Sequence, residues 1–114
     1  MKMKFRHFQI PVMLLGLAAL GFAAAWPLTT AWAAEETQTL IKDFKLAPLT
    51  VKAGTTVTWV NKDDEPHNVV SDAGLFHSSG LDTDESFSYK FDKPGSYQIH
   101  CSIHPRMVAT VVVE

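Results

Sequence analysis

Three segments in which apolar and polar residues alternate strictly constrain the fold of this chain more than any other feature. They cover 55–61, 86–91 and 96–101. In the second segment Phe87 and its alternate neighbours share one face, and serines and a lysine share the other. A side-chain period of two is that of a β-strand with one buried face. These segments therefore predict β-structure rather than helix.

Turn residues divide the chain after residue 38 into about seven short strands. We predict them at 40–44, 49–52, 55–61, 67–71, 86–91, 96–101 and 108–114. Residues 34–37 are predicted to be loose, and the Gly-, Ser- and Asp-rich stretch 72–85 to be irregular. Seven short strands at this spacing predict an all-β fold, an antiparallel β-sandwich. Its predicted core consists of Trp59, Phe87, Tyr89, Phe91, Tyr97, Ile99 and the valines.

Residues 1–33 have the pattern of a secretory signal peptide. Three basic residues within the first six positions precede an apolar run over 10–25, and Ala-Trp-Ala follows at 31–33. We expect cleavage at the end of this motif, which leaves a mature domain 34–114 in the periplasm, without stable membrane association. The alternative is a retained membrane anchor, but the apolar run is short for a bilayer span.

The composition of the expected mature domain limits its partners. Residues 34–114 keep seven of the ten basic residues and all twelve acidic ones, a formal net charge of −5. Binding to nucleic acid requires a clustered basic face, so it is excluded. With one cysteine no internal disulfide can form. We expect a monomer.

The residues with most chemical significance lie near the C-terminus. Cys101, His104 and Met107 bring a thiol, an imidazole and a thioether together as Cys-x-x-His-x-x-Met. One tight loop can direct all three side chains at one point, and Pro105 stiffens that loop by fixing its own φ. His67, far upstream, completes a set of one Cys, two His and one Met.

This donor set is typical of a copper site. Thiolate and thioether are soft ligands that hold Cu(I), and imidazole accepts both Cu(I) and Cu(II). A trigonal His₂Cys site with a weak axial Met is the ligand pattern of copper electron transfer. Asn68 is expected to hydrogen-bond across to the Cys101 loop and hold the two segments in register. His100 should face away from Cys101, and His77 should be solvated.

Three other interpretations of Cys101 compete with copper. A lone cysteine is most often a small buried hydrophobic residue. Zinc binds Cys and His well, but a Met ligand is unusual for zinc. A catalytic thiol activated by His104 would need an orienting group and an oxyanion hole, and Met107 beside the thiol fits that role poorly. We therefore expect a protein that is not an enzyme.

At these residues the chain resembles the cupredoxins, the small blue copper proteins. The resemblance runs over about 44–114 and includes 49–61, 66–69 and 95–101 as well as the Cys-x-x-His-x-x-Met motif. The spacing of that motif is most similar to that of amicyanins, because plastocyanin-like members carry a longer gap between the His and the Met.

The resemblance implies a Greek-key sandwich with type 1 copper held by His67, Cys101, His104 and Met107. It also implies that the edge of the His104 ring, surrounded by apolar surface, is the port for electrons. The chain departs from the pattern in two ways. Its N-terminus is short, so that an edge strand is expected to be missing, and Arg106 stands where amicyanins carry an aromatic residue. Arg106 is either a solvated charge, a partner contact or a modulator of the potential.

The expected function is that of an exported one-electron carrier that cycles between Cu(II) and Cu(I). Redox partner proteins are expected to dock transiently near His104 and Pro105. The alternative is a periplasmic copper-binding protein that transfers or sequesters the metal itself. A compact site with a single Cys favours electron transfer, because metal carriers more often expose several Met or His residues.

Overall fold

The computed structural model describes residues 34–114 and four isolated positions, Gly16, Gly21, Ala25 and Pro27. The predicted signal peptide thus lies outside the continuous part that the structure describes. Seven strands follow in order: β1 (Glu36–Ile41), β2 (Leu49–Val51), β3 (Thr55–Asn61), β4 (Val70–Ser71), β5 (Ser86–Phe91), β6 (Gly95–His100) and β7 (Val108–Val113). The described residues include no helix long and apolar enough to cross a bilayer.

The strands form two sheets, with the orders β1-β3-β5 and β2-β7-β6-β4. The predicted all-β sandwich of seven short strands is confirmed. The expectation of purely antiparallel pairing is wrong, because β1 pairs parallel with β3 and β2 pairs parallel with β7. The chain passes from β1 to β2 in the other sheet before it returns as β3. Such a crossover lets two strands of one sheet run in the same direction.

The core lies between the two sheets. The three-stranded sheet contributes Trp59 and Phe91, exposed by 0% and 1%, and the four-stranded sheet contributes Ile99, exposed by 1%. The strand β3 alternates buried and half-buried positions along its whole length, as its sequence predicts. Other predicted core residues are half-buried and pack against this centre: Phe87, Tyr89 and Tyr97.

The first strand begins and ends earlier than predicted. It covers Glu36–Ile41 rather than 40–44, and it includes two of the residues predicted to be loose. The strand ends there because Asp43 and Phe44 adopt positive φ angles of 53° and 56°, which no strand can contain. Backbone hydrogen bonds between Lys42 and Lys45 close this turn.

The fourth strand is shorter than predicted. Only Val70–Ser71 belongs to it, whereas His67 makes an isolated bridge to Leu81 in the long loop that follows. His67 and Val69, the two residues predicted to share a face, are both fully buried. His67 is therefore fixed by a loop contact in place of a regular ladder.

The burial of Phe91 and the exposure of Phe44 predict that alanine substitutions at these two positions differ in their effect on stability. Phe91→Ala should lower the free energy of unfolding by about 3–5 kcal/mol, because it leaves a cavity beside Trp59. The matched variant Phe44→Ala, at a side chain 45% exposed, should cost about 1 kcal/mol or less. Urea unfolding of the metal-free protein measures both values. Equal losses would contradict the assigned core.

Candidate metal centre

The site lies where two distant segments meet at one end of the four-stranded sheet. Strand β4 pairs antiparallel with β6, with Val70 opposite His100. The residues just before β4 therefore lie beside those just after β6. This pairing brings His67 and Asn68 next to Cys101.

Asn68 joins the two segments by three hydrogen bonds. Its backbone N–H donates to Cys101 Sγ at 3.5 Å. Its side-chain Nδ2 donates to Ser102 Oγ at 2.7 Å, and its Oδ1 accepts from the Ser102 N–H at 2.8 Å. The expected bond from Asn68 to the Cys101 loop is confirmed. The Asn68 N–H is thus aimed at the sulfur that we predict to bind the metal.

The loop after β6 is closed on itself. The Cys101 N–H donates to the carbonyl of Met107 at 3.0 Å, and the Met107 N–H donates to the carbonyl of His104 at 2.9 Å. These bonds fold the seven-residue motif into one tight turn. Met107 is buried, with 4% of its surface exposed. Its assignment as a ligand stays a prediction.

His67, Cys101 and His104 place their donor atoms together. These atoms all lie within 4.8 Å of one another. His67 Nδ1 is 3.1 Å from His104 Nδ1, and Cys101 Sγ is 4.0 Å from the same His104 atom. Two ligands that share one ion at bonds of about 2.0–2.3 Å have such separations. The thiol is fully buried, as is His67, so this donor set fits a single enclosed ion.

A buried carboxylate orients His67. Asp63 Oδ2 lies 2.8 Å from His67 Nε2, and the two side chains are exposed by only 9% and 0%. An imidazole that donates from Nε2 keeps its Nδ1 lone pair free for a metal. Burial by itself raises the pKa of Asp63. Hydrogen bonds from the Phe44 N–H, from His67 and from the Asp43 N–H outweigh it and hold that pKa below its ordinary value of 3.8.

Asn61 is a second supporting residue that sequence reasoning missed. Its fully buried side chain donates to the carbonyls of Glu65 and Leu81, each at 2.8 Å, and accepts from the Asp63 N–H at 2.9 Å. It thereby fixes the turn that carries Asp63. In the sequence both residues stand at the start of a polar run that looks solvated. No local pattern in the sequence distinguishes Asp63 from its neighbour Asp64.

Phe44 and the ligand loop form the surface over the site. The Phe44 ring meets the rings of His67 and His104 edge-on, at centroid distances of 5.0 and 5.1 Å. A depression of about 400 Å³ adjoins His104, and its lining is mostly apolar: Phe44, Ile103, His104, Pro105, Arg106 and Met107. Pro105 and Arg106 are both exposed. On the other side, His104 Nε2 lies 3.5 Å from Glu65.

The two remaining histidines of 34–114 lie outside this cluster, as predicted. His100 faces away from Cys101 and pairs with Asp72 at the surface. His77 is exposed, and its Nε2 lies 3.4 Å from Asn68 Nδ2.

Comparison with known proteins relates this chain to a family that binds copper. Residues 32–114 match a family described as copper binding proteins, plastocyanin/azurin family. Amicyanin of Paracoccus denitrificans is 38% identical over 76 residues, covering 62% of this chain and 58% of that protein. The chain matches between 54% and 64% of the length of three curated amicyanins.

Solved structures agree with these sequence matches. Amicyanin from Paracoccus versutus superposes with a TM-score of 0.64 at 36% identity, over 71% of this chain and 83% of that chain. A purple cupredoxin from Nitrosopumilus maritimus superposes with a TM-score of 0.56 at 41% identity, over 59% of this chain and 77% of that chain.

The lowered pKa of Asp63 predicts how acid affects the metal-free protein. A carboxylate whose pKa is depressed by folding contributes stability that is complete above its unfolded value of 3.8. That contribution is lost as the pH falls through the folded value. The difference in melting temperature between the wild type and Asp63→Asn should therefore shrink from pH 6 to pH 3. Calorimetry measures it, and a difference that stays constant over this range would contradict the assignment.

Proposed function

The chain belongs to the plastocyanin/azurin family of copper-binding proteins, the cupredoxins, and from this we propose that it carries single electrons between redox partner proteins. The resemblance found in the sequence and the predicted copper cofactor are confirmed by this membership. The observation that carries the proposal is the convergence of the His67, Cys101 and His104 donor atoms from segments more than thirty residues apart.

We assign His67, Cys101, His104 and Met107 as the copper ligands. When bound, copper supplies a Cu(II)/Cu(I) couple that takes up and releases one electron. Cys101 provides a buried sulfur, and the two imidazoles each present Nδ1 to the same point. The buried thioether of Met107 follows in the same closed loop and would add a weak, soft donor to this set.

The protein holds these ligands without help from the metal. The Asn68–Ser102 bonds and the closed loop between Cys101 and Met107 set the positions of the donors before any ion binds. A ligand set fixed in this way changes little when the charge of the ion changes. Small rearrangement is what fast electron transfer requires.

The proposed docking surface is the apolar ring around His104. The His104 side chain is 29% exposed, whereas Cys101 and His67 are fully buried. His104 is thus the ligand through which electrons reach the surface. Ile103 and Phe44, with exposures of 46% and 45%, and exposed Pro105 supply an apolar contact area. A transient complex needs only a small area of this kind.

We also propose that residues 1–33 are a cleaved signal peptide and that the domain acts in the periplasm as a monomer. The basic start, the apolar run and the Ala-Trp-Ala site support this assignment. The lone cysteine supports it further. A thiol in an oxidising compartment is protected when it binds a metal.

Catalysis by Cys101 is not supported. Its sulfur is fully buried, so that a substrate has no access to it. The relatives in this family carry electrons and are not enzymes. Handing the metal itself to another protein remains the competing function, and the following experiment separates the two.

Copper added to the purified protein should produce an intense blue thiolate-to-Cu(II) absorption band that bleaches reversibly on reduction. Cys101→Ser should abolish the band while the circular dichroism of the sandwich is retained. The matched variant His100→Gln, at the outward-facing neighbour, should stay blue. A colourless wild type with readily exchanged copper would favour metal delivery. A band that survives Cys101→Ser would falsify the ligand assignment.

The role of Met107 is tested by potentiometry. Met107→Leu keeps a buried side chain of similar volume but removes a donor to copper. The site should stay coloured, and its reduction potential should rise because the oxidised ion loses more stabilisation than the reduced one. An unchanged potential would mean that Met107 serves packing alone.

A further inference from the structure

One buried carboxylate contacts both the metal site and the surface above it. Asp63 Oδ2 accepts hydrogen bonds from His67 Nε2 at 2.8 Å and from the Phe44 N–H at 2.9 Å. Its Oδ1 accepts from the Asp43 N–H at 2.7 Å. Three donors thus converge on one side chain that is 9% exposed. A buried charge with this number of partners is fixed in place.

Towards the metal site, Asp63 decides which nitrogen of His67 carries the proton. A carboxylate accepts and cannot donate, so the proton lies on Nε2. The unprotonated Nδ1 then faces His104 Nδ1 and the Cys101 thiol. The other neutral tautomer would place a proton where the ion binds.

Towards the surface, Asp63 stabilises an unusual turn. Asp43 and Phe44 are consecutive non-glycine residues with φ angles of 53° and 56°, a conformation that is unfavourable for L-residues. Both of their amide groups donate to the same carboxylate. This turn directs the Phe44 ring against His67 and His104, with interplanar angles of 84° and 88°.

We propose that Asp63 is a positioning residue that holds the ligand His67 and the docking-surface residue Phe44 in one fixed arrangement. The proposal rests on the proposed copper function for its effect on the metal. The arrangement of the turn and of the His67 tautomer is independent of copper. Removal of the carboxylate should therefore have two effects: it should lower the affinity for the metal, and it should loosen the turn that carries Phe44.

The test compares three variants of the full protein. Asp63→Asn removes the charge and one of the acceptors. Asp63→Glu keeps the carboxylate on a longer arm, and Asp64→Asn removes the same charge from the exposed neighbour. Copper affinity by competition titration should fall about tenfold to a hundredfold in Asp63→Asn. The reduction potential should rise in that variant. Asp63→Glu should reverse part of both changes, the fall in affinity and the rise in potential. Asp64→Asn should leave the affinity within about twofold of the wild type.

Two measurements on the metal-free protein complete the test. Amide hydrogen exchange at Asp43 or Phe44 should accelerate at least about tenfold in Asp63→Asn relative to Asp64→Asn, because one of the two amides loses its acceptor and the other keeps only an uncharged one. In the wild type, ¹⁵N NMR of the imidazoles at neutral pH should show His67 protonated at Nε2 and unprotonated at Nδ1. This measurement needs no variant, so it decides the tautomer even if Asp63→Asn does not fold.

The outcomes separate the two proposals. If the wild type binds no copper but shows the Nε2–H tautomer and the protected turn, the copper function fails and the positioning role of Asp63 stands. If Asp63→Asn matches Asp64→Asn in affinity, potential and amide exchange, the positioning role is overturned. A wild-type His67 protonated at Nδ1 would overturn it as well.

Discussion

The hydrogen bonds between Asn68 and Ser102 are the contact on which the rest of this site depends. They join side chain and backbone across a separation of 34 residues, at 2.7 and 2.8 Å. The other contacts between the ends of β4 and β6 are two ladder pairs, a backbone bond from Asp72 to Gln98 and the longer bond from the Asn68 N–H to Cys101 Sγ. Asn68 and Ser102 are the chain neighbours of His67 and Cys101. Their hydrogen bonds therefore fix the distance between the His67 nitrogen and the Cys101 sulfur, which the short strand pairing alone would hold less firmly.

The fold around this contact shows how a small β-sandwich provides rigidity at one end. The core of Trp59, Phe91 and Ile99 packs the two sheets together, and the donors project from loops at the rim of that core. Loops are ordinarily the mobile parts of a domain. Here each loop is closed by its own bonds: Asn61 and Asp63 hold one, and the backbone pair of Cys101 with Met107 holds the other. The predicted ligands are therefore held rigidly, although they lie in loops rather than in the sheets.

The sequence was a good guide where spacing along the chain decides the structure. Cys101, His104 and Met107 lie in one tight loop, and a tight loop must bring near neighbours together. The alternating strands β3 and β5 appear with the predicted bounds. The position of Asn68 next to His67 likewise predicted its hydrogen bonds to the Cys101 loop. In each case the signal is local, because a short stretch of residues carries the whole constraint.

The sequence was a poor guide where the structure depends on contacts between residues far apart in the chain. Nothing local distinguishes buried Asp63 from exposed Asp64, because the difference lies in donors supplied by Asp43 and Phe44 about twenty residues upstream. The same interaction explains why β1 ends at Ile41. Its predicted extension to Phe44 ignored a turn that the distant Asp63 carboxylate helps to stabilise. The parallel pairings of β1 and β2 are likewise set by crossovers between sheets, and no pattern within a single strand reports them.

The central claim is that one sulfur and two imidazole nitrogens, fixed in advance, enclose a single copper ion. X-ray absorption at the copper edge of the loaded protein measures this directly. The account predicts one short copper–sulfur and two copper–nitrogen distances that change little between the oxidised and reduced forms. A first shell without sulfur, or one that is rebuilt on reduction, would contradict it.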